Sequence, residues 1–344
     1  MASNSSTMWF GGFLLIAFSF VALLTRDDCC SICLPVIMSV IGGAMLLVSR
    51  PGKRVDPRNK AILVTGCDRG FGLSIAKHFY SLGFEVFAGC LFKDNGGDGA
   101  VELEKMGSNR MHVLQLDVAD DEQVKMAVKC VKELTGERGL WALVNNAGLS
   151  TYGHVEWCTM ETYKQIADVT LWGVVRTTKA FLPLLRKSKG RVINVSSYLG
   201  LFSPPGRSAY CICKRGIEAF SDSLRLEMRP FHVPVSVIEP ANFIRATGLY
   251  TEDSVRKISE KLWREMEPNV KEDYGKETFD SAVEKMRTFC SSGHLSQDMV
   301  LDTYEDALLA QHPKVRYLVG NWKEKTKTFI LYHLPTWLGD WLYW

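Results

Sequence analysis

Charge imbalance is what this sequence has least of. Lys and Arg number 41 against 38 Asp and Glu, a formal net charge of +3 over 344 residues, too little to argue for a polyanion, so nucleic acid is not an expected partner. Internal repeats and low-complexity tracts are absent, which excludes a repeat architecture. Ten cysteines are present, yet none of their spacings makes a metal-ligand set or a disulfide framework. No metal is expected, and the thiols read as free in a reducing compartment. Cys30 and Cys33 form a C-x-x-C, but between apolar runs and outside the strand context of a redox motif. The first 25 residues hold no arginine or lysine, which argues against a signal peptide and against a mitochondrial presequence.

Long apolar runs are confined to the N-terminus. Met8 to Thr25 is uncharged, Arg26 to Asp28 interrupts, and Ile32 to Ser49 is uncharged again; each run is near the minimum of roughly 17 to 25 residues for a spanning helix. Arg50, Lys53, Arg54, Arg58 and Lys60 follow, and cationic flanks stay on the cytosolic side. The expectation is a transmembrane helical hairpin over residues 1–50, with the remainder facing the cytosol from the endoplasmic reticulum. A mitochondrial membrane and a pair of soluble helices are the alternatives. Residues 51–59, polar with two prolines, read as a linker.

From residue 60 onward apolar strands alternate with helical patterns. Strands are predicted over Lys60–Thr65, Phe84–Gly89, His112–Leu116, Leu140–Asn145, Arg191–Val195 and Val233–Glu239. Helices are predicted over Leu73–Leu82, Asp121–Leu134, Met160–Leu185 and Ser208–Met228. This alternation implies an α/β fold with a doubly wound parallel sheet of the Rossmann kind. At 47% hydrophobic the chain can bury one full core.

The first strand runs into Gly66-Cys-Asp-Arg-Gly70-Phe-Gly72 and then a helix. Gly66 permits the tight turn, Gly70 a close approach to a pyrophosphate, and Gly72 close packing of helix on strand, so the helix N-terminus faces phosphate. Tyr210 and Lys214 stand four apart, on one helical face, with Ser197 thirteen residues upstream of the tyrosine. An ammonium beside a phenol favours phenolate, and a serine hydroxyl can hold the oxygen that exchanges its proton. The chemistry implied is hydride transfer between alcohol and ketone with tyrosine as acid and base. Alone, Y-x-x-x-K also fits an amphipathic helix with a buried Tyr and a snorkelling Lys.

With its leading Thr65, the glycine turn resembles T-G-x-x-x-G-x-G of the short-chain dehydrogenase/reductase family. Asp117-Val118, Asn145-Asn-Ala-Gly148, Ser197 and Tyr210 to Lys214 follow in that family's order, and the resemblance covers residues 60–320. It implies catalysis by Ser197, Tyr210 and Lys214, with Lys214 also on the nicotinamide ribose. By the same resemblance Thr65, Gly66, Arg69, Gly70, Phe71 and Gly72 form the cofactor turn. Asp117 would then sit by the adenine, Asn145, Ala147 and Gly148 would line the adenosine side, and Pro240 and Phe243 would stand by the nicotinamide.

Three positions depart from the family pattern. Thr170 takes the place of the asparagine that carries a water in the proton relay. Ala241 follows Pro240 where glycine is usual. Arg69 replaces a serine and can reach a 2′-phosphate, while Ala88-Gly89-Cys90 lacks the acid that would hold a ribose hydroxyl. NAD is the cofactor expected, and NADP is the alternative that Arg69 keeps open.

Segments such as Phe87 to Leu91, Leu171-Trp-Gly173 and Cys290 to Gly293 resemble the hydroxybutyrate dehydrogenase branch. Gly139 to Ala142 and Phe181 to Gly190 are equally similar to the steroid and retinol branch. The substrate is therefore a small hydroxy acid, whose carboxylate would meet Arg245, Lys214 or His154, or a lipophilic alcohol arriving from membrane lipid. A catalytically weak cofactor-binding membrane protein is the third reading. Residues 241–301 would cap the substrate, and the aromatic tail 321–344 suits a membrane interface. Further copies of the chain are expected partners.

Overall fold

A computed structural model describes residues 53–107 and 109–343; the expected hairpin over residues 1–50 lies outside the described residues. Among the described residues no helix is long and apolar enough to cross a membrane. Seven strands form one sheet: β1 (Ala61–Thr65), β2 (Glu85–Cys90), β3 (Met111–Gln115), β4 (Ala142–Asn145), β5 (Arg191–Val195), β6 (Val235–Pro240) and β7 (Arg316–Val319). Their order is β3-β2-β1-β4-β5-β6-β7, and every neighbouring pair is parallel. In register, Leu63 stands opposite both Phe87 and Leu143.

The strands are short, nearly continuous apolar runs because both faces are covered. Helices α1 (Gly70–Ser81), α2 (Asp98–Glu104), α3 (Asp121–Thr135), α4 (Met160–Ala167), α5 (Gly173–Ser188) and α6 (Ser208–Met228) fill the crossovers. After β6 come α7 (Ile244–Thr247), α8 (Glu252–Glu265), α9 (Pro268–Cys290) and α10 (Asp298–Leu309); after β7 come α11 (Trp322–His333) and α12 (Thr336–Tyr343). Ile62 and Val64 point into one buried cluster with Val86, Ala88 and Ile193, closed by Ile75 and Phe79 of α1 and by Tyr304 and Leu308 of α10. Leu63, Phe87, Leu143 and Val192 point into the other, closed by Val131 of α3, Phe181 and Leu185 of α5, and Leu224 of α6. The period of two along each strand thus delivers alternate residues to two cores. The strand order reverses between β1 and β4, and the crevice outside their carboxyl ends is where such sheets bind ligands.

Three features differ from the sequence expectation. β7 is a further strand, short and flanked by polar residues, so its four residues carry little periodic signal. The single helix expected over Met160–Leu185 is α4, a π-helical turn over Asp168–Trp172, and α5 running on to Ser188. The widened turn coincides with Thr170, whose hydroxyl accepts from the Leu149 N–H at 2.8 Å and donates to the Leu149 carbonyl at 3.0 Å, anchoring the helix at its irregular point. The linker is tied down as well: Arg54 bridges Ala310, and the Val55 N–H donates to the Leu309 carbonyl at 2.7 Å.

Residues 241–301 carry a third cluster, in which Tyr250, Leu262 and Phe279 pack with Tyr152 and Trp157 from the segment after β4. On α11 and α12, Trp322, Trp337 and Trp341 are exposed.

Candidate active site

At the end of β1 the chain turns through Gly66 and Gly70, both at positive φ (72° and 59°). A Cβ on Gly72 would lie 2.0 Å from the Gly66 carbonyl oxygen and 2.7 Å from Asn146 Nδ2, so only glycine lets α1 start this close to β1. α1 begins at Gly70, earlier than the periodicity indicated. Arg69 at its N-cap makes no side-chain cap bond, and the first turn holds no acidic residue. Its first N–H groups and the positive end of its dipole are left for an anion, which fits a dinucleotide pyrophosphate.

The turn is locked to the segment after β4. Thr65 Oγ1 accepts from the Asn146 N–H at 3.1 Å and the Ala147 N–H at 3.0 Å, and Asn146 Nδ2 donates to the Thr65 carbonyl at 2.9 Å. Asn145, by contrast, is buried in the sheet and donates to Thr178 Oγ1 and Asn194 Oδ1, both at 2.8 Å, while accepting from Thr177 Oγ1 at 2.7 Å. Of the two asparagines it is therefore Asn146 that touches the turn. Gly148 follows close to Thr170. Asp117 caps the start of the next segment by accepting from the Ala119 N–H at 2.9 Å.

At the carboxyl end of β5, Ser197 Oγ accepts from the Leu199 N–H at 3.2 Å and donates to the Pro240 carbonyl at 3.4 Å. Ser197 also hydrogen-bonds the Tyr210 phenol. Lys214, 4% exposed, donates through Nζ to the Val195 carbonyl at 2.7 Å and lies 5.4 Å from the centre of the Tyr210 ring. The structure thus brings Ser197, Tyr210 and Lys214 together at the β5 end, next to Pro240. Burial pushes the Lys214 ammonium down to about 8, against the opposing pull of Cys213 and Glu218. Burial pushes the Tyr210 phenol above its ordinary range, while the Arg207 guanidinium and the bond to Ser197 pull it back. A protonated phenol is the form that donates to a ketone oxygen.

Phe71 meets Phe243 edge to face at 5.7 Å, and Phe243 stacks on His294 at 4.5 Å, which in turn bonds Glu324 at 2.7 Å. Ala241 donates its N–H to the Val319 carbonyl at 2.8 Å. A Cβ at residue 320 would come within 2.9 Å of the Ala241 methyl, so that methyl fits because residue 320 is glycine.

Of the three cations expected to meet a carboxylate, Arg245 is exposed and His154 is packed, tilted and edge-on, against the rings of Trp157 and Tyr274. Besides Lys214, the cation that faces the tyrosine is Arg207, the N-cap residue three positions before it. Its guanidinium lies 5.5 Å from the Tyr210 ring and 5.4 Å from the Tyr250 ring, and donates to Ser150 Oγ at 3.2 Å. Its Nε is buried without a partner. The signal was available in the sequence as a basic residue at i−3 from the tyrosine. An open groove of about 780 Å³ lies elsewhere, around Trp172 and Ile212, and none of Ser197, Tyr210 and Lys214 lines it.

The family description "short chain dehydrogenase" matches residues 60–254. The chain is 50% identical over 286 residues to the mitochondrial D-beta-hydroxybutyrate dehydrogenase of Rattus norvegicus, covering 83% of each. It is 39% identical to the 17-beta-hydroxysteroid dehydrogenase type 6 of Bos taurus, covering 83% of this chain and 88% of that one. In fold it is similar to a short-chain dehydrogenase of Streptomyces avermitilis, with a TM-score of 0.63 and 24% identity over 82% of this chain and 96% of the other.

Proposed function

This chain belongs to the short-chain dehydrogenase family, and from that premise we propose that it interconverts a 3-hydroxy acid and its 3-oxo acid with NAD, as a hydroxybutyrate dehydrogenase does. The observation that carries the acid reading is Arg207, a cation without a carboxylate partner among the described residues, directed at Tyr210 and lodged between Ser150 and Tyr250. A half-buried guanidinium whose Nε is buried without a partner favours a charged acceptor, since charge-assisted bonds are the strong ones.

A bound nicotinamide, with Lys214 on its ribose and Pro240 and Phe243 beside it, would supply the hydride chemistry at the carbinol carbon. Tyr210 exchanges the proton of the substrate oxygen, Ser197 hydrogen-bonds that oxygen, and Lys214 supplies the cation that favours phenolate during oxidation. The uncapped N-terminus of α1 with Gly66, Gly70 and Gly72 would hold the pyrophosphate, and Asp117, Ala147 and Gly148 the adenosine side. Thr170 works through Leu149, holding the loop that follows Gly148. Residues 241–301 would cover the substrate.

Oxidation of a steroid or retinoid is the second reading. It is supported by the exposed Trp322, Trp337 and Trp341 on α11 and α12, which suit the interface of a membrane with the catalytic domain on its cytosolic side. The groove around Trp172 and Ile212 supports self-association.

The deciding assay supplies NAD or NADP with 3-hydroxybutyrate, estradiol and retinol and follows reduced nicotinamide. Turnover of hydroxybutyrate that vanishes in Tyr210→Phe is expected. Turnover of the two lipophilic alcohols alone would transfer the reading to the second branch.

A further inference from the structure

We propose that Asp68, inside the glycine turn, is the specificity residue that makes this site select NAD over NADP; the proposal rests on the nicotinamide reading above. Dinucleotide sites commonly place an acid at the end of the second strand, on the 2′-hydroxyl of the adenosine ribose. Here that strand ends Ala88-Gly89-Cys90 and has none. The fold brings a carboxylate to the same spot from a different element. Asp68 Oδ2 accepts from the Leu91 N–H and Oδ1 from the Phe92 N–H, each at 2.9 Å, and these are the first two residues beyond β2.

That pair of hydrogen bonds has two consequences. The carboxylate is held at the strand end with lone pairs remaining for a ribose hydroxyl. The Leu91 and Phe92 N–H groups, which could otherwise receive a 2′-phosphate at this place, are already taken. The arrangement is rigid on both sides. A Cβ on Gly99 would lie 2.1 Å from the Asp68 carbonyl oxygen, so the start of α2 is packed directly on the Asp68 backbone. Beyond the clamp, Gln115 Nε2 donates to the Leu91 carbonyl at 2.8 Å and to Gln123 Oε1 at 3.2 Å, and Gln123 Oε1 accepts from the Asp117 N–H at 2.8 Å. A continuous rail therefore joins Asp68 to the adenine side of the crevice.

Arg69, the neighbour that favours a phosphate, is exposed and would have to be ordered from solvent to hold one. A carboxylate fixed by two hydrogen bonds outweighs a solvated cation that loses rotamer freedom on binding. The remaining cation of the loop, Lys93, is paired with Asp94 at 3.3 Å.

The test is equilibrium binding without substrate: NADH and NADPH titrated separately into the full chain, followed by energy transfer from tryptophan to the reduced nicotinamide. The wild type is expected to bind NADH more tightly. Asp68→Asn keeps a side-chain acceptor for the loop but removes the charge, and should move the NADPH-to-NADH affinity ratio roughly tenfold or more toward NADPH. Asp68→Glu should retain the NADH preference, and gives a folded comparison if the asparagine variant is unstable. Arg69→Gln should weaken NADPH more than NADH and so move the affinity ratio the opposite way from Asp68→Asn. Equal weakening of both dinucleotides in Asp68→Asn, or an unchanged ratio, overturns the proposal and leaves Asp68 a loop clamp. A wild type that binds neither dinucleotide overturns the nicotinamide reading and this proposal with it, so the two failures are told apart.

Discussion

Replacing Arg207 with methionine separates the hydroxy-acid reading from every other. The side chain keeps its apolar stem and loses the guanidinium that lies 5.5 Å from the Tyr210 ring. A hydrogen bond to a charged group contributes about 1.5 to 3 kcal/mol, and each 1.4 kcal/mol is about tenfold. The specificity constant for 3-hydroxybutyrate should therefore fall about 10- to 150-fold, while that for a neutral secondary alcohol such as 2-butanol should hold within a few-fold. Because Arg207 also pulls the Tyr210 phenol down, its loss raises that pKa, and the limb on which the oxidation rate rises with pH should move to higher pH for both substrates. Arg207→Lys restores charge without the planar fork and should recover part of the loss. Initial rates of NADH formation across pH supply every quantity. Equal losses for the acid and the neutral alcohol, with unfolding midpoints unchanged, would refute the assignment.

Lys214→Met should abolish turnover yet stabilise the fold near pH 7. The folded pKa of about 8 lies below the ordinary 10.5, so the buried charge costs most below pH 8 and the cost fades as pH rises from 8 toward 10.5. That cost is about 3 kcal/mol at most, partly offset by the lost bond to the Val195 carbonyl; a gain of about 1 to 2 kcal/mol in urea unfolding at pH 7, shrinking at pH 10, is expected. Thr170→Val leaves the Leu149 N–H and carbonyl unpaired and should cost about 2 to 3 kcal/mol by the same measurement. Thr170→Asn supplies the family's amide and should raise turnover; an equal or lower rate rules out a relay at this position. Glu239 is buried and pushed up to about 8, first by burial and then by Glu218. The folded state then holds a proton that the unfolded state releases near 4.5, so stability should fall as pH rises from 4.5 to 8. Glu239→Gln should flatten that slope, and a slope unchanged in the variant would show that the proton resides elsewhere.

The fold was legible where a residue's role follows from its chain neighbours. Six strands, the glycine turn and the Tyr210 helix each announce themselves through a local period or a fixed spacing, because alternation and helical repeat are set by backbone geometry. Ser197, Tyr210 and Lys214 could be read for the same reason, two of them on one helix and the third at a strand end. What escaped were features decided by contacts across the chain. β7 is a strand only because β6 offers it an edge, and the π turn at Thr170 exists because a backbone twenty-one residues away accepts and donates to that hydroxyl. Asn146, not Asn145, meets the glycine turn, a distinction that depends on which side of β4 each residue leaves.

Arg207 and Asp68 fall on this boundary, and both bear on specificity. Sequence spacing finds the groups that perform proton transfer, because every member of the fold must hold them in one geometry to react at all. The groups that choose among substrates and cofactors need only bring a charge to the right point in space, and any element passing that point can supply it. A missing acid at the end of β2 was therefore a sound observation about the strand and a poor guide to the pocket, since a carboxylate from the turn before α1 reaches the N–H groups of Leu91 and Phe92. The same logic explains why the proposed substrate cation stands at the N-cap of the catalytic tyrosine's helix rather than at Arg245 or His154. Arg207 already faces the Tyr210 ring and lowers its phenol, so on this reading one arginine would act on both the substrate's charge and the phenol's proton. It follows that a change of substrate in this fold should alter the pH profile of catalysis when it is made at Arg207 or at its neighbour Tyr250, which also acts on the Tyr210 phenol, and leave it nearly unchanged when made elsewhere in residues 241–301.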